Sequence, residues 1–274
     1  MPLDTLGRRS RFKRTNTRKR LVLGDRDVKI LRWLYRYRYL RQSHLQTLFK
    51  PKSPKRFVER LGDLFHETGY INRPVIQHQQ FDARSNPMLY EISNAGIEYL
   101  ESVGLLPHRA VLYSRRSRQA YNPQFLHTMM IIETLIGIEL ATMLETNQRF
   151  VSTDEILTKA PQRTKNAANP LSVPVTILPS KRFPVVRQRI ETHIIPDALY
   201  GIEYLIDGEK RYRFWALECE RTNPARRSTD RASSTTLKEA AYDALVRSKR
   251  FKEHWGIPNL KLKLVRARYV MGVA

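Results

Sequence analysis

Apolar positions along this chain recur with two different periods, and the switches between them outline its elements. From Asp25, the residues Val28, Leu31, Leu34 and Tyr35 step at helical spacing, with Asp25 read as the N-cap. A short second helix takes Ser43 as its cap and Leu45, Leu48 and Phe49 as its apolar positions. Ser53-Pro54 opens a third helix, the serine as cap and the proline at the first helical position. Phe57, Leu61 and Leu64 form its stripe, and Gly69 stops it. Two extended runs follow, Tyr70–Gln77 and Met88–Ile92, with the turn formers Asp82 to Pro87 between them. A fourth helix spans Asn94–Ser102, with Ile97 and Leu100 inward. Helix, helix, helix, two-stranded wing, helix is the winged helix-turn-helix order, in which the third helix lies in the major groove. The outward face of that helix offers Lys52, Lys55, Arg56 and Arg60.

After residues 106–122, a basic stretch with little periodicity, Phe125, Met129, Ile132, Ile136, Leu140 and Met143 step by three and four. They predict a long, mostly buried helix from Gln124 to Thr146. Residues 157–189 hold five prolines and read as an irregular, partly extended insertion. Strands are expected over Thr192–Ile206 and Tyr212–Glu220, then a polar loop over Arg221–Ser233. A helix opens on the capping-box form Thr236-Leu237-Lys238-Glu239 and runs to Lys249, and a last strand covers Leu260–Val270. The fold class is therefore α+β. Residues 1–22 form a basic flexible arm, 23–105 a winged-helix domain, 106–122 a linker, and 123–274 a mixed α/β domain.

Charge decides what class of partner such a chain meets. Lys and Arg number 49 against 26 Asp and Glu, a formal charge of +23 over 274 residues. The field of such a surface draws polyanions, with double-stranded DNA first among them. The arm holds eight Lys or Arg, among them Arg18, Lys19 and Arg20, placed to touch phosphates. No apolar run approaches the roughly 20 residues of a spanning helix, so no membrane is expected. The basic start lacks the apolar core of a secretory signal. Cys219 is the single cysteine, which excludes an internal disulfide and suits the reducing cytoplasm. There is no G-x-x-x-x-G-K-[ST] and no His-x-His pair, which removes P-loop NTPases and argues against His-dependent relaxases.

One constellation could carry chemistry. Asp207-Gly208 is the strongest hairpin turn in the chain. As central turn residues they place Asp197 directly opposite Glu218, roughly 4.5–5.5 Å apart at Cβ. Glu220 points to the same face. Carboxylates crowded together repel unless a cation shares the site, and Mg²⁺ takes such oxygens. Glu133, on an apolar face of the long helix, is a further member. The alternative is ion pairing with Arg221, Arg189 or Lys238. His127 and His193 read as core or loop histidines, and Tyr200, Tyr204 and Trp215 as packing under a helix on the opposite hairpin face.

Pro196-Asp197, a hairpin, then Glu218-Cys219-Glu220 resemble the PD-(D/E)xK metal-dependent nuclease core, with Glu220 where its lysine belongs and Lys238 as the replacement cation. The layout as a whole is similar to the replication-relaxation family of mobile elements. Its first part resembles LRWLYRYRYLRQSHLQTLF, RFVERLGDLFHETGYI and LYEISNAGIEYL. Its second part resembles His127 and Glu133, Pro196-Asp197, Glu218 through Thr222, and Lys238 through Tyr242. Here Glu220 replaces the usual Asp, and the glycine common between Arg and Thr is absent. The resemblance implies a DNA-binding accessory to plasmid or phage replication, mobilisation or relaxosome assembly, with replication or relaxosome proteins as partners. A second reading is a Mg²⁺-dependent endonuclease using Asp197, Glu218, Glu220, Glu133 and Lys238, its metal held by Asp197, Glu218 and Glu220. A third is a transcriptional repressor whose second domain makes a homodimer.

Overall fold

A computed structural model describes residues 10–77, 86–106, 124–221 and 235–266. The fold is mixed α+β and divides into two compact units, Met1–Ile132 and Glu133–Ala274.

The first unit begins with α1 (Asp25–Tyr37), β1 (Tyr39–Arg41), α2 (Gln42–Phe49) and α3 (Pro54–His66). Gly24, not Asp25, is the N-cap of α1; its N–H donates to the Asp27 carboxylate at 2.9 Å. Asp25 and Asp27 thus fall in the first turn, where the helix dipole favours them. Arg41, not Ser43, caps α2, because the preceding three residues pair as β1, too short a strand to show a period. The α3 start is as expected, with the Arg56 N–H donating to Ser53 Oγ at 3.3 Å. Next come β2 (Ile71–Asn72), β3 (Leu89–Ile92) and α4 (Asn94–Ser102), the strands forming an antiparallel sheet in the order β1-β3-β2. The expected run Tyr70–Gln77 yields only those two strand residues. Pro74 has no N–H to give a ladder, and the Gln77 side-chain amide instead bonds both the N–H and the carbonyl of Leu89. Residues 78–85, which include the first part of the expected turn Asp82 to Pro87, lie outside the described residues. Ile30, Leu31, Leu34, Leu45, Phe57, Leu61, Leu64, Ile92, Ile97 and Leu100 close the core.

Residues 10–20, expected as a free arm, lie along the end of α3. Arg14 forks onto the carbonyls of Phe65, Gly69 and Ile71 and onto Asn72 Oδ1 (2.6–3.2 Å). Thr17 bonds the Glu67 carboxylate through both its N–H and its hydroxyl at 2.9 Å. Bonds to carbonyls left open at a helix end offset the ordering cost that a purely compositional reading counts alone.

Helix α5 (Phe125–Thr142) stops before the expected Thr146; Phe125, Met129, Ile132 and Ile136 are buried, whereas Met143 is 57% exposed. By length and composition α5 is apolar enough to cross a membrane, which corrects the expectation that no such segment exists. Its threonines and glycine interrupt an apolar run without making the helix polar. Its Thr134 hydrogen-bonds the Cys219 thiol within the second unit.

That unit holds a four-stranded sheet in the order β4-β7-β8-β9: β4 (Gln148–Val151), β7 (Ala198–Ile206), β8 (Glu209–Glu220) and β9 (Lys261–Arg266). The first three are antiparallel, and β9 runs parallel to β8. A second sheet pairs β5 (Val173–Ile177) with β6 (Ile190–Ile194). The helices are α6 (Thr153–Lys159), α7 (Gln162–Lys165), α8 (Thr235–Ser248) and α9 (Arg250–Trp255). The strand expected over Thr192–Ile206 is therefore two strands in different sheets, broken at Ile195-Pro196-Asp197, where the proline cannot donate to a ladder. The stretch expected to be irregular, 157–189, holds the end of α6, all of α7 and β5. Thr236 lies inside α8 instead of capping it. The linker, apart from residue 106, and the polar loop, apart from Arg221, fall outside the described residues, as does the last strand beyond Arg266. Leu199, Phe214, Ala216, Leu245 and Trp255 are among the buried residues of this unit's core.

Candidate functional site

The hairpin that frames the carboxylates has the expected register. Asp207 and Gly208 both take positive φ (53° and 79°), the geometry of a two-residue type I′ turn. Pairing then runs from Ile206↔Glu209 to Ala198↔Leu217. Asp197 follows Pro196 at the entrance to β7. Its N–H donates to the Leu217 carbonyl (3.0 Å), and its Oδ2 accepts the Cys219 N–H (2.7 Å). The carboxylate thus continues the ladder of β8 by one side-chain rung.

Glu218, buried at 3% exposure, faces α8. Lys238 Nζ donates to its Oε2 at 2.7 Å and the Tyr242 hydroxyl to its Oε1 at 2.6 Å. The two donors are four residues apart on α8, one turn, so both reach a single carboxylate. Burial pushes the Glu218 carboxyl above its usual range, while the bonds from Lys238 and Tyr242 pull the other way. Burial, and then the facing Glu218 charge, raise the Tyr242 hydroxyl. Glu220 is buried at 2% and lies in register with Arg266 of β9. Glu133 is half-buried on α5, beside Thr134. The Cys219 thiol is pushed up to about 12, chiefly by burial.

The structure therefore joins Asp197, Glu218 and Lys238 at the end of one hairpin. It adds Tyr242, whose role only the Lys-x-x-x-Tyr spacing could have signalled. A cavity of about 400 Å³ adjoins them, walled by Ile177, Ile190, Thr192 and Ile194. As arranged, the set does not fit the expected Mg²⁺. Both Glu218 oxygens and one Asp197 oxygen already accept protein donors, and among the described residues no three His, Cys, Asp or Glu side chains group to hold a metal ion.

The basic residues of the first unit separate into two sets. Lys52, Lys55 and Arg56, around the start of α3, are exposed and make no ion pair among the described residues. Arg60, expected to point outward with them, is turned inward. Its Nε and Nη2 donate to the Asp27 carboxylate at 3.0 and 2.5 Å, and Nη2 also donates to the Val22 carbonyl at 2.6 Å. Asp27 is 3% exposed and needs that partner. Lys19 pairs with Asp63 at 2.7 Å, its side chain still 56% exposed, and Arg18 and Arg20 are exposed.

No curated protein and no solved structure matches the chain. Comparison with protein families matches residues 31–260 to the replication-relaxation family, a span that takes in both α3 and the Glu218–Lys238–Tyr242 cluster. On that match the chain belongs to the replication-relaxation family.

Proposed function

We propose that the protein is a double-stranded DNA-binding accessory of a mobile element, acting in the cytoplasm with replication or relaxosome proteins, and that its first unit is a winged helix reading the major groove with α3. One observation carries this: Lys52, Lys55 and Arg56 stand exposed and unpaired among the described residues at the start of a helix whose other face, Phe57, Leu61 and Leu64, is sealed in the core. Charges with no internal partner remain available to phosphates, and a helix N-terminus favours anions. The order of elements around α3 and the charge of +23 support the same reading. The second unit is read as a nuclease-like fold that contributes binding. The occupied oxygens of Glu218 speak for that reading over cleavage. The test is a Lys52→Ala/Lys55→Ala/Arg56→Ala variant titrated against a mixed-sequence duplex. Loss of three phosphate contacts should weaken binding about 10–100-fold with the circular dichroism unchanged. Unchanged affinity in a folded variant would make α3 a protein-docking helix instead.

A further inference from the structure

The two faces of the four-stranded sheet differ in how their charges are balanced. Side chains alternate between faces along each strand. On the face toward α8 every Lys or Arg of the strands has a glutamate. Arg149 pairs with Glu155 and Glu203, Lys210 with Glu203, and Arg266 with Glu239. The opposite face carries Arg211 and Arg213 of β8 and Lys261 and Lys263 of β9, all exposed. Only Arg211 pairs there, with the exposed Glu209 at 3.5 Å; Arg213, Lys261 and Lys263 make no ion pair among the described residues. β4, β7 and β9 place no acid on this face.

Aromatic rings lie among these cations. Trp215 is the direct cross-strand partner of Tyr200 and of Lys261. Phe150, Tyr200 and Trp215 stack in a row across β4, β7 and β8, with centroids 5.9 and 5.3 Å apart and planes within 8°. Tyr200 is buried in the row, whereas Phe150, Trp215 and Tyr204 keep part of their surface open. Cations without internal partners beside partly open rings match the chemistry of a strand that offers both phosphates and unstacked bases. A duplex hides its base faces and leaves the rings unused.

We propose that this outer sheet face binds single-stranded DNA, with Arg213, Lys261 and Lys263 on the phosphates and bases stacked against Trp215 and its neighbours. The surface belongs to the second unit, and the proposal does not depend on the duplex-binding reading. The test uses the full chain and the fluorescence anisotropy of labelled oligo(dT), about 12 nucleotides long, at low salt. Arg213→Gln/Lys261→Gln/Lys263→Gln replaces exposed side chains only. It should weaken oligo(dT) binding about tenfold while changing duplex affinity less than about twofold. The α3 variant should show the reverse. An abasic strand of equal length should bind the wild type several-fold more weakly than oligo(dT). Oligo(dT) binding unchanged by the triple variant, an equal loss on duplex and single strand, or equal affinity for the abasic strand would each overturn the proposal. Failure of the α3 variant to lose duplex binding would count against the winged-helix reading alone.

Discussion

Arg56 and Arg60 sit about one turn apart on α3 and have opposite surroundings. Spacing groups them on one outward face, because nothing near them in sequence announces Asp27, 33 positions away from Arg60. The partner is tertiary, and single-sequence periodicity cannot see it. Arg60→Ala should therefore act on stability. It strands a buried carboxylate, which costs about 3–5 kcal/mol where a pair is fully enclosed. With the Arg60 side chain 23% exposed, about 2 kcal/mol is expected in urea denaturation. Arg56→Ala should leave the melt unchanged. If Arg60→Ala melts like wild type, Asp27 is solvated and the pair is not structural. The Glu218 cluster is the contrasting case. Its three members lie on two elements, yet the one-turn spacing of Lys238 and Tyr242 and the turn signal of Asp207-Gly208 were both legible. What the sequence did not reveal is that these donors occupy the carboxylate that a metal would need.

Elements were legible where a long period or a strong turn specifies them. α1, α3, α4 and the β7–β8 hairpin stand close to where their patterns place them. Short pieces were not: β1, β4, α7 and α9 span three to six residues, too few for a period to show. The break at Pro196 was missed because apolar content continues across it, although the proline itself was the available signal. One side chain ties three of these elements. Arg149 on β4 bonds Glu155 on α6 through two oxygens (2.7 and 3.0 Å) and Glu203 on β7 (2.9 Å). Arg149 first, helped by Tyr212 and Lys210, lowers the Glu203 carboxyl from the ordinary 4.5 to about 2. A depressed carboxyl contributes stability above its unfolded value and loses it as pH falls through the folded one. Arg149→Ala should thus cost about 1 kcal/mol at neutral pH, since the arginine is half-exposed and screened. The difference from wild type should hold above about pH 4.5 and close as pH drops toward about 2. A gap in Tm that does not change with pH would mean that the arginine acts by packing alone.

Two units of mixed α+β structure share a chain with 49 basic residues, and those residues have different uses. Some, such as Arg14, Arg60, Arg149 and Lys238, are internal fasteners. Others, such as Lys52, Lys55, Arg56, Arg213, Lys261 and Lys263, are exposed and unmatched among the described residues. Composition announces a polyanion partner but cannot sort the two sets; only the partners found in the fold do. On the proposed reading, α3 holds duplex DNA through its unmatched cations. The most direct test is the salt dependence of affinity for a mixed-sequence duplex of about 20 base pairs, since the slope counts the counterions that bound cations release. Wild type should show a steep linear fall of log affinity with log salt, and the Lys52→Ala/Lys55→Ala/Arg56→Ala variant a slope shallower by about 3. A flat wild-type response, or the same slope in both proteins, would rule out duplex binding through these cations.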